Sequence, residues 1–294
     1  MMLETLIGNE PTKDALAAAV QNGRLAHCLL LCGEFGCGTG YAARCLAADF
    51  LAPQGGAAAA AVMQRRSPDV LLVEGEGASG GIKIDRVRAV RSEVFNTSLS
   101  SERRVVIVRK AENFNPQSAN AFLKTLEEPP ENVLFILTAS SAATVLPTIR
   151  SRCCIYTLAT PGVQACTAYL QKKYPRADNV ERLATIFDGK IGAVEEILSS
   201  RANYNILVDA DALLQSIDIR DAYGAVVLLA KYEKEKAKAV QLLRYLYALA
   251  ATTLAENIRA VATLQTARAA MSQLADNNGS VKLVLTNFAA QACA

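Results

Sequence analysis

A continuous apolar run, Val133-Leu-Phe-Ile-Leu-Thr-Ala139, closely follows the helix breaker Pro129-Pro130 and constrains this chain more than any other stretch. A strand with one face in water alternates apolar and polar residues. An unbroken run reads instead as a strand buried on both faces of a parallel sheet. Upstream, Ala119, Phe122, Leu123 and Leu126 recur at helical spacing, which predicts a helix from about Pro116 to Glu128. The two prolines end it, because proline lacks an N–H donor and disfavours helix in the residue before it. Downstream, TIRSRCC carries Arg150 and Arg152. Their chemistry leaves two readings open: cations on a solvated turn, or a guanidinium extended toward a phosphate on another molecule.

Similar apolar runs begin at Cys28, Val70 and Val105, and helix-spaced segments separate them. Ile84, Val87, Val90 and Val94 line one face of a helix that continues to Phe95, with Arg86, Arg88 and Arg91 opposite, on a face expected to be solvated. Asn9, Pro11 and Thr12 suit the start of an earlier helix. Strand and helix in alternation predict a parallel α/β sheet with right-handed crossovers, closing near Thr157. Gly75–Gly81 reads as a mobile glycine-rich turn. The Gly/Ala-rich stretch Pro53–Ser67 is open between a loop and a short helical extension.

HCLLLCGEFGCGTGYAARCLAADFL has the layout of a phosphate-binding loop: strand, glycine turn, helix. The working motif is G-x-x-x-x-G-K-[S/T]. Aligned on Gly33 and Gly38, with Gly36 between them, the lysine position holds Thr39 and the magnesium-ligand position holds Gly40. The cradle can survive, but the ammonium and the hydroxyl are gone, so a glycine turn without a ligand stands beside nucleotide binding. The strand starting at Val105 ends in Arg109-Lys110-Ala111-Glu112, with two cations where an ATPase of this layout needs carboxylates for Mg²⁺ and water. These separate losses argue against ATP hydrolysis by this chain.

Composition narrows the class. The 294 residues are 51% hydrophobic, enough for two or three domains with real cores. A net charge of +3 makes no case for independent nucleic-acid binding. Eight cysteines without a secretory leader suggest reduced thiols in a cytoplasmic protein, and no segment is long and apolar enough for a membrane span. His27 is the sole histidine, so a His-containing catalytic triad has one candidate, placed where a structural role is expected. From about Pro161 the segments are helical to the end, interrupted by Pro175, by the Gly189/Gly192 turn and by the charge run KYEKEKAK, a solvated face or connection.

ANAFLKTLEEPPENVLFILTA, LPTIRSRC, AHCLLLCGEFGCG and SPD followed by IKIDRVR together resemble the delta-prime subunits of bacterial DNA polymerase III clamp loaders, within the AAA+ superfamily. The likeness runs through the whole chain and is most specific between Gly33 and Cys154. It implies an α/β AAA+ P-loop-type domain with a parallel sheet (1–158), a small helical lid domain (159–200) and an all-α C-terminal collar, or oligomerisation, domain (201–294). Ser151, Arg152 and Cys153 match the family's SRC motif, which would make Arg152 an arginine finger acting in trans on a neighbour's ATP. Thr138 falls at the sensor-1 position, and the sensor-2 arginine would fall near Gly192, where it is missing.

The implied role is that of a non-hydrolysing subunit helping to load the sliding clamp onto primed DNA. Its partners would be the tau/gamma motor subunits, the delta subunit and, through the complex, the clamp and primer-template DNA. ATP would be bound by the neighbouring subunits, with no cofactor of its own. Many relatives bind zinc through four cysteines after the P-loop helix. Here Cys45 could fill the first position, but the next cysteine is Cys153, so no zinc is expected. An active tau/gamma-like motor, or a non-replicative nucleotide-binding adaptor, are the alternatives.

Overall fold

The computed structural model describes residues 1–76, 80–94, 103–255, 257, 259–275 and 280–294. Parts of four expected elements lie outside them: 77–79 of the glycine-rich turn, Phe95 of the arginine-bearing helix, and Glu256, Ile258, Asp276 and Asn277 at expected helix ends. The chain divides into two compact units, one formed by Met1–Cys166 with Lys190–Gly192, the other by Thr167–Gly189 with Ala193–Ala294.

In chain order the first unit holds a 3₁₀ turn (Met2–Thr5), α1 (Glu10–Gln21), β1 (Cys28–Cys32), α2 (Thr39–Leu51), α3 (Gly56–Met63), β2 (Val70–Val73), α4 (Ile84–Val94) and β3 (Arg104–Val108). A second 3₁₀ turn (Ala111–Asn113) leads to α5 (Pro116–Glu127), β4 (Val133–Ala139), α6 (Pro147–Arg150) and β5 (Cys154–Thr157). The strands form one parallel sheet of five, ordered β2-β3-β4-β1-β5.

Every residue of β1, β3 and β4 is buried, which explains their unbroken apolar sequences. Successive side chains point to opposite faces. Cys28, Leu30, Val106, Phe135 and Leu137 join a core with Val87, Val90 and Val94 of α4 and Phe122 and Leu126 of α5. Leu29, Leu31, Val105, Ile107, Leu134 and Ile136 join another with Leu16 of α1, Leu46 of α2 and Ala59 and Val62 of α3. The sheet is therefore the middle of three layers.

Within this frame α5 has a defined start and stop. Asn115 accepts from the Ser118 N–H at 2.8 Å while Ser118 Oγ accepts from the Asn115 N–H, a capping box with Pro116 in the first turn. Phe122 stacks on Phe114 and meets Phe135 of β4 edge-on.

Three features differ from the sequence expectation or complete it. The Gly/Ala-rich stretch folds as α3, whose small side chains allow close packing beside α2. A fifth strand, β5, lies beyond the four that the apolar runs predict: it is a short edge strand, mostly exposed, so it has no apolar run. Arg86 is not on a solvated face, because its Nη2 donates to the Leu72 carbonyl of β2 at 2.6 Å.

The second unit is helical in its described residues. It takes in most of α7 (Val163–Lys173), α8 (Val180–Ile186) and most of α9 (Ile191–Leu198), followed by α10 (Arg201–Asp218), α11 (Ala222–Ala230), α12 (Lys236–Thr252), α13 (Arg259–Ala275) and α14 (Val281–Ala292). α12 packs between α10 and α13 through Leu242, Leu243, Leu246 and Leu249. Tyr245 of α12 meets Phe187 edge-on. The charge run begins in the α11–α12 connection, where Lys231 Nζ and Tyr232 Oη reach the two oxygens of Asp209.

Candidate functional site

The glycine loop leaves the end of β1 and turns into α2. Gly38, at φ 100°, supplies the left-handed turn just before Thr39 and Gly40. At Gly33 the loop packs closely against its own chain. A Cβ on Gly33 would lie 2.4 Å from Cys37 Sγ and 2.8 Å from the Leu158 carbonyl oxygen. Cys37 is buried there, and burial pushes its thiol pKa up. The Gly36 carbonyl accepts from the Gly192 N–H at 2.8 Å, and Glu34 pairs with Lys190 at 2.6 Å. A Cβ on Gly192 would lie 3.1 Å from Gly36 O, so the position given to a sensor-2 arginine by resemblance is one of close backbone approach. Thr39 and Gly40 open α2, and the Gly40 carbonyl accepts from Arg44 Nη1 at 3.0 Å.

At the end of β3, Arg109 pairs with Glu74 at 3.1 Å. Lys110 adopts a left-handed φ of 55°, and its N–H donates to the Thr138 hydroxyl at 3.3 Å. Thr138 sits on β4, nearly buried, in register with Leu31 of β1, so it links the β3 turn to the strand next to the glycine loop. Glu112 accepts from the Ser140 N–H at 3.2 Å through Oε1, while its Oε2 is buried without a hydrogen-bond partner.

The third cluster is the turn between α6 and β5. Its two arginines, equal in the sequence, have different surroundings. Arg150 Nη1 donates to the Ala142 carbonyl at 3.2 Å, tying the turn to the preceding loop. Arg152 is about a third exposed. Its Nη1 donates to the Thr148 carbonyl at 3.0 Å and to Ser151 Oγ at 3.3 Å, and its Nη2 donates to Glu127 Oε1 at 2.6 Å. Ser151 Oγ donates to Thr148 O at 3.1 Å, closing the turn. Cys153 Sγ lies 3.2 Å from the Ile149 carbonyl and 3.2 Å from Cys28 Sγ.

Two residues of this cluster escaped the sequence reading, Glu127 and Cys28. Glu127 belongs to the LKTLEEPP motif, but its partner is 25 residues away. Cys28 is hidden in an apolar run. Among the described residues no group of His, Cys, Asp and Glu is arranged to hold a metal ion, and all eight cysteines are free thiols. Cys45 is buried in α2 with its thiol pushed up to about 11 by burial.

Residues 8–162 match the family described as "DNA polymerase III, delta subunit". The DNA polymerase III subunit delta' of Pseudomonas aeruginosa is 33% identical over 174 residues, covering 56% of this chain and 53% of that protein. The gamma/tau subunit of Mycobacterium tuberculosis is 34% identical over 155 residues, covering 50% of this chain and 27% of its own length. The chain thus spans about half the length, or less, of these curated relatives. A DNA polymerase III gamma subunit-related protein from Thermotoga maritima shares the fold with a TM-score of 0.55 at 21% identity, over 94% of this chain and 97% of that one.

The first unit is an α/β domain with a parallel sheet and a glycine loop between its first strand and the following helix, and the second unit is helical in its described residues. The chain belongs to the DNA polymerase III delta-subunit family, and it is delta-prime-like within that family.

Proposed function

We propose that this chain is a non-hydrolysing clamp-loader subunit whose chemical contribution is Arg152, offered in trans to ATP held by a neighbour. The observation that carries the reading is the Arg152 guanidinium, about a third exposed on a turn closed by its own hydrogen bonds. A positioned arginine of this type is worth about 10³–10⁵ in rate, or roughly 4–7 kcal/mol of barrier. Ser151 and Cys153 shape the turn, and Thr138 at the sensor-1 position braces the end of β3.

The loop around Gly33, Gly36, Gly38, Thr39 and Gly40 serves as a structural turn, in keeping with its own fillings, Cys37 and the Gly36–Gly192 hydrogen bond. Cofactor and zinc have no part in the proposal. The partners are the tau/gamma motors and the delta subunit and, through them, the sliding clamp and primed DNA, in the cytoplasm. The division into an AAA+ domain (1–158), a lid (159–200) and a collar (201–294) belongs to the same proposal.

The test is ATP hydrolysis by the chain alone and in a reconstituted complex with and without Arg152. The expected result is no turnover alone and a slower complex without the guanidinium. The similarity to gamma/tau subunits favours one competing reading, an active motor. Mg²⁺-dependent turnover by the isolated chain would establish that instead.

A further inference from the structure

Among the described residues, Cys28 and Cys153 are the cysteines whose sulfurs meet, at 3.2 Å. Their backbones are suited to a covalent link. Leu29 of β1 is in parallel register with Cys154 of β5, and one residue before each stand Cys28, the first residue of β1, and Cys153, in the turn that enters β5. Adjacent strands run about 4.8 Å apart, inside the roughly 4.4–6.8 Å range of Cα separations that a disulfide spans. Cys28 is only 1% exposed, whereas Cys153 is half-buried.

The two thiols are also chemically unequal. The hydrogen bond between the two sulfurs holds the Cys153 thiol below its ordinary pKa. The same bond, with burial, pushes Cys28 up. Cys153 is the more accessible of the two and the one whose pKa is held down, so it is the sulfur placed to react as the nucleophilic thiolate.

We propose that Cys28 and Cys153 form a hydroperoxide-oxidisable dithiol site that closes to an intramolecular disulfide joining β1 to the Ser151–Arg152–Cys153 turn. In the first step the Cys153 thiolate attacks one peroxide oxygen. The O–O bond breaks, Cys153 becomes a sulfenic acid, and the other oxygen leaves as water after taking up a proton. In the second step Cys28 sulfur attacks the sulfenic sulfur. The S–S bond forms, and the hydroxyl leaves with the Cys28 proton as a second water. Two thiols lose two electrons and one peroxide gains them. A dithiol reductant reverses the link by exchange. Closure brings the sulfurs from 3.2 Å to about 2.05 Å. It also removes the Cys153 S–H that donates to Ile149, and so acts on the turn that carries Arg152. The site stands on the thiol geometry alone and does not depend on the role of Arg152.

The test exposes the full folded chain to hydrogen peroxide, blocks the remaining thiols with an alkylating reagent and maps the peptides by mass spectrometry. The expected result is the loss of two free thiols, a Cys28–Cys153 linked peptide as the main oxidised product, and its disappearance on reduction with dithiothreitol. Cys28→Ser should abolish the link and leave Cys153 as a sulfenic acid that dimedone traps. Because Cys28 is buried, Cys153→Ser provides a second control on the exposed side, with the same link lost. Peroxide treatment of the folded wild-type chain that leaves both thiols reduced, or that links Cys153 to a different cysteine, overturns the proposal.

Discussion

Arg152 Nη2 lies 2.6 Å from Glu127 Oε1, so the SRC turn and the LKTLEEPP motif meet in one ion pair although β4 separates them in sequence. The pair is accessible, with Arg152 36% and Glu127 50% exposed. Exposed pairs contribute about 0–1 kcal/mol, far below what a guanidinium is worth at a phosphoryl-transfer transition state. On the proposed role, Glu127 would hold Arg152 in place at little cost to its release.

In the proposed complex, Arg152→Ala should slow hydrolysis at the ATP it serves by about 10³-fold or more. Arg152→Lys should rescue little, because an ammonium lacks the planar fork. Glu127→Gln should change the rate less than about tenfold, in line with a surface pair of at most about 1 kcal/mol. Steady-state ATPase of the reconstituted assembly measures all three, and a fully active Arg152→Ala complex would remove the finger role.

Gly192→Ala should destabilise the first unit by about 1–3 kcal/mol, because the new methyl presses on the Gly36 backbone at 3.1–3.2 Å. A thermal melt reads this as a lower midpoint. Gly40→Ala, with nothing within 4 Å of the new methyl, is the matched control and should leave the midpoint near that of the wild type.

Phe122→Ala should cost about 3–5 kcal/mol. It opens a hole between Phe114 on one side and Phe135 of β4 on the other. Urea unfolding measures the loss.

Alkylation of Cys153 should begin at lower pH than that of an ordinary thiol. Its lowered pKa means that the thiolate is already present below the usual value of 9.0, and reactivity rises as pH passes through the folded pKa. Cys28→Ala removes the hydrogen-bond partner that lowers the Cys153 pKa, so the onset should move to higher pH. Iodoacetamide labelling rates across a pH series, followed at the Cys153 peptide, decide the point.

Much of the fold was legible because burial leaves a direct trace. CLLLC, VVIV and VLFILTA read as strands covered on both faces, and the helical spacing from about Pro116 with the stop at Pro129 bracketed α5 at nearly its observed limits. β5 left no such trace, since an edge strand with exposed side chains carries no apolar run. At the candidate site the sequence showed the absence of an ammonium at Thr39 and of carboxylates at Arg109 and Lys110, because those are losses of chemical groups at known spacing.

The residue types, their periodicity and the family therefore follow from the sequence alone. Tertiary structure decided which groups meet. It tied Arg150 to the Ala142 carbonyl, brought Glu127 to Arg152, set Gly192 against Gly36, and placed Cys28 beside Cys153. The reason is physical: apolar burial is non-directional and averages over a segment, so patterning records it. A hydrogen bond, an ion pair or a thiol contact depends on a few tenths of an ångström between residues distant in the chain, and only the packed sheet fixes that distance.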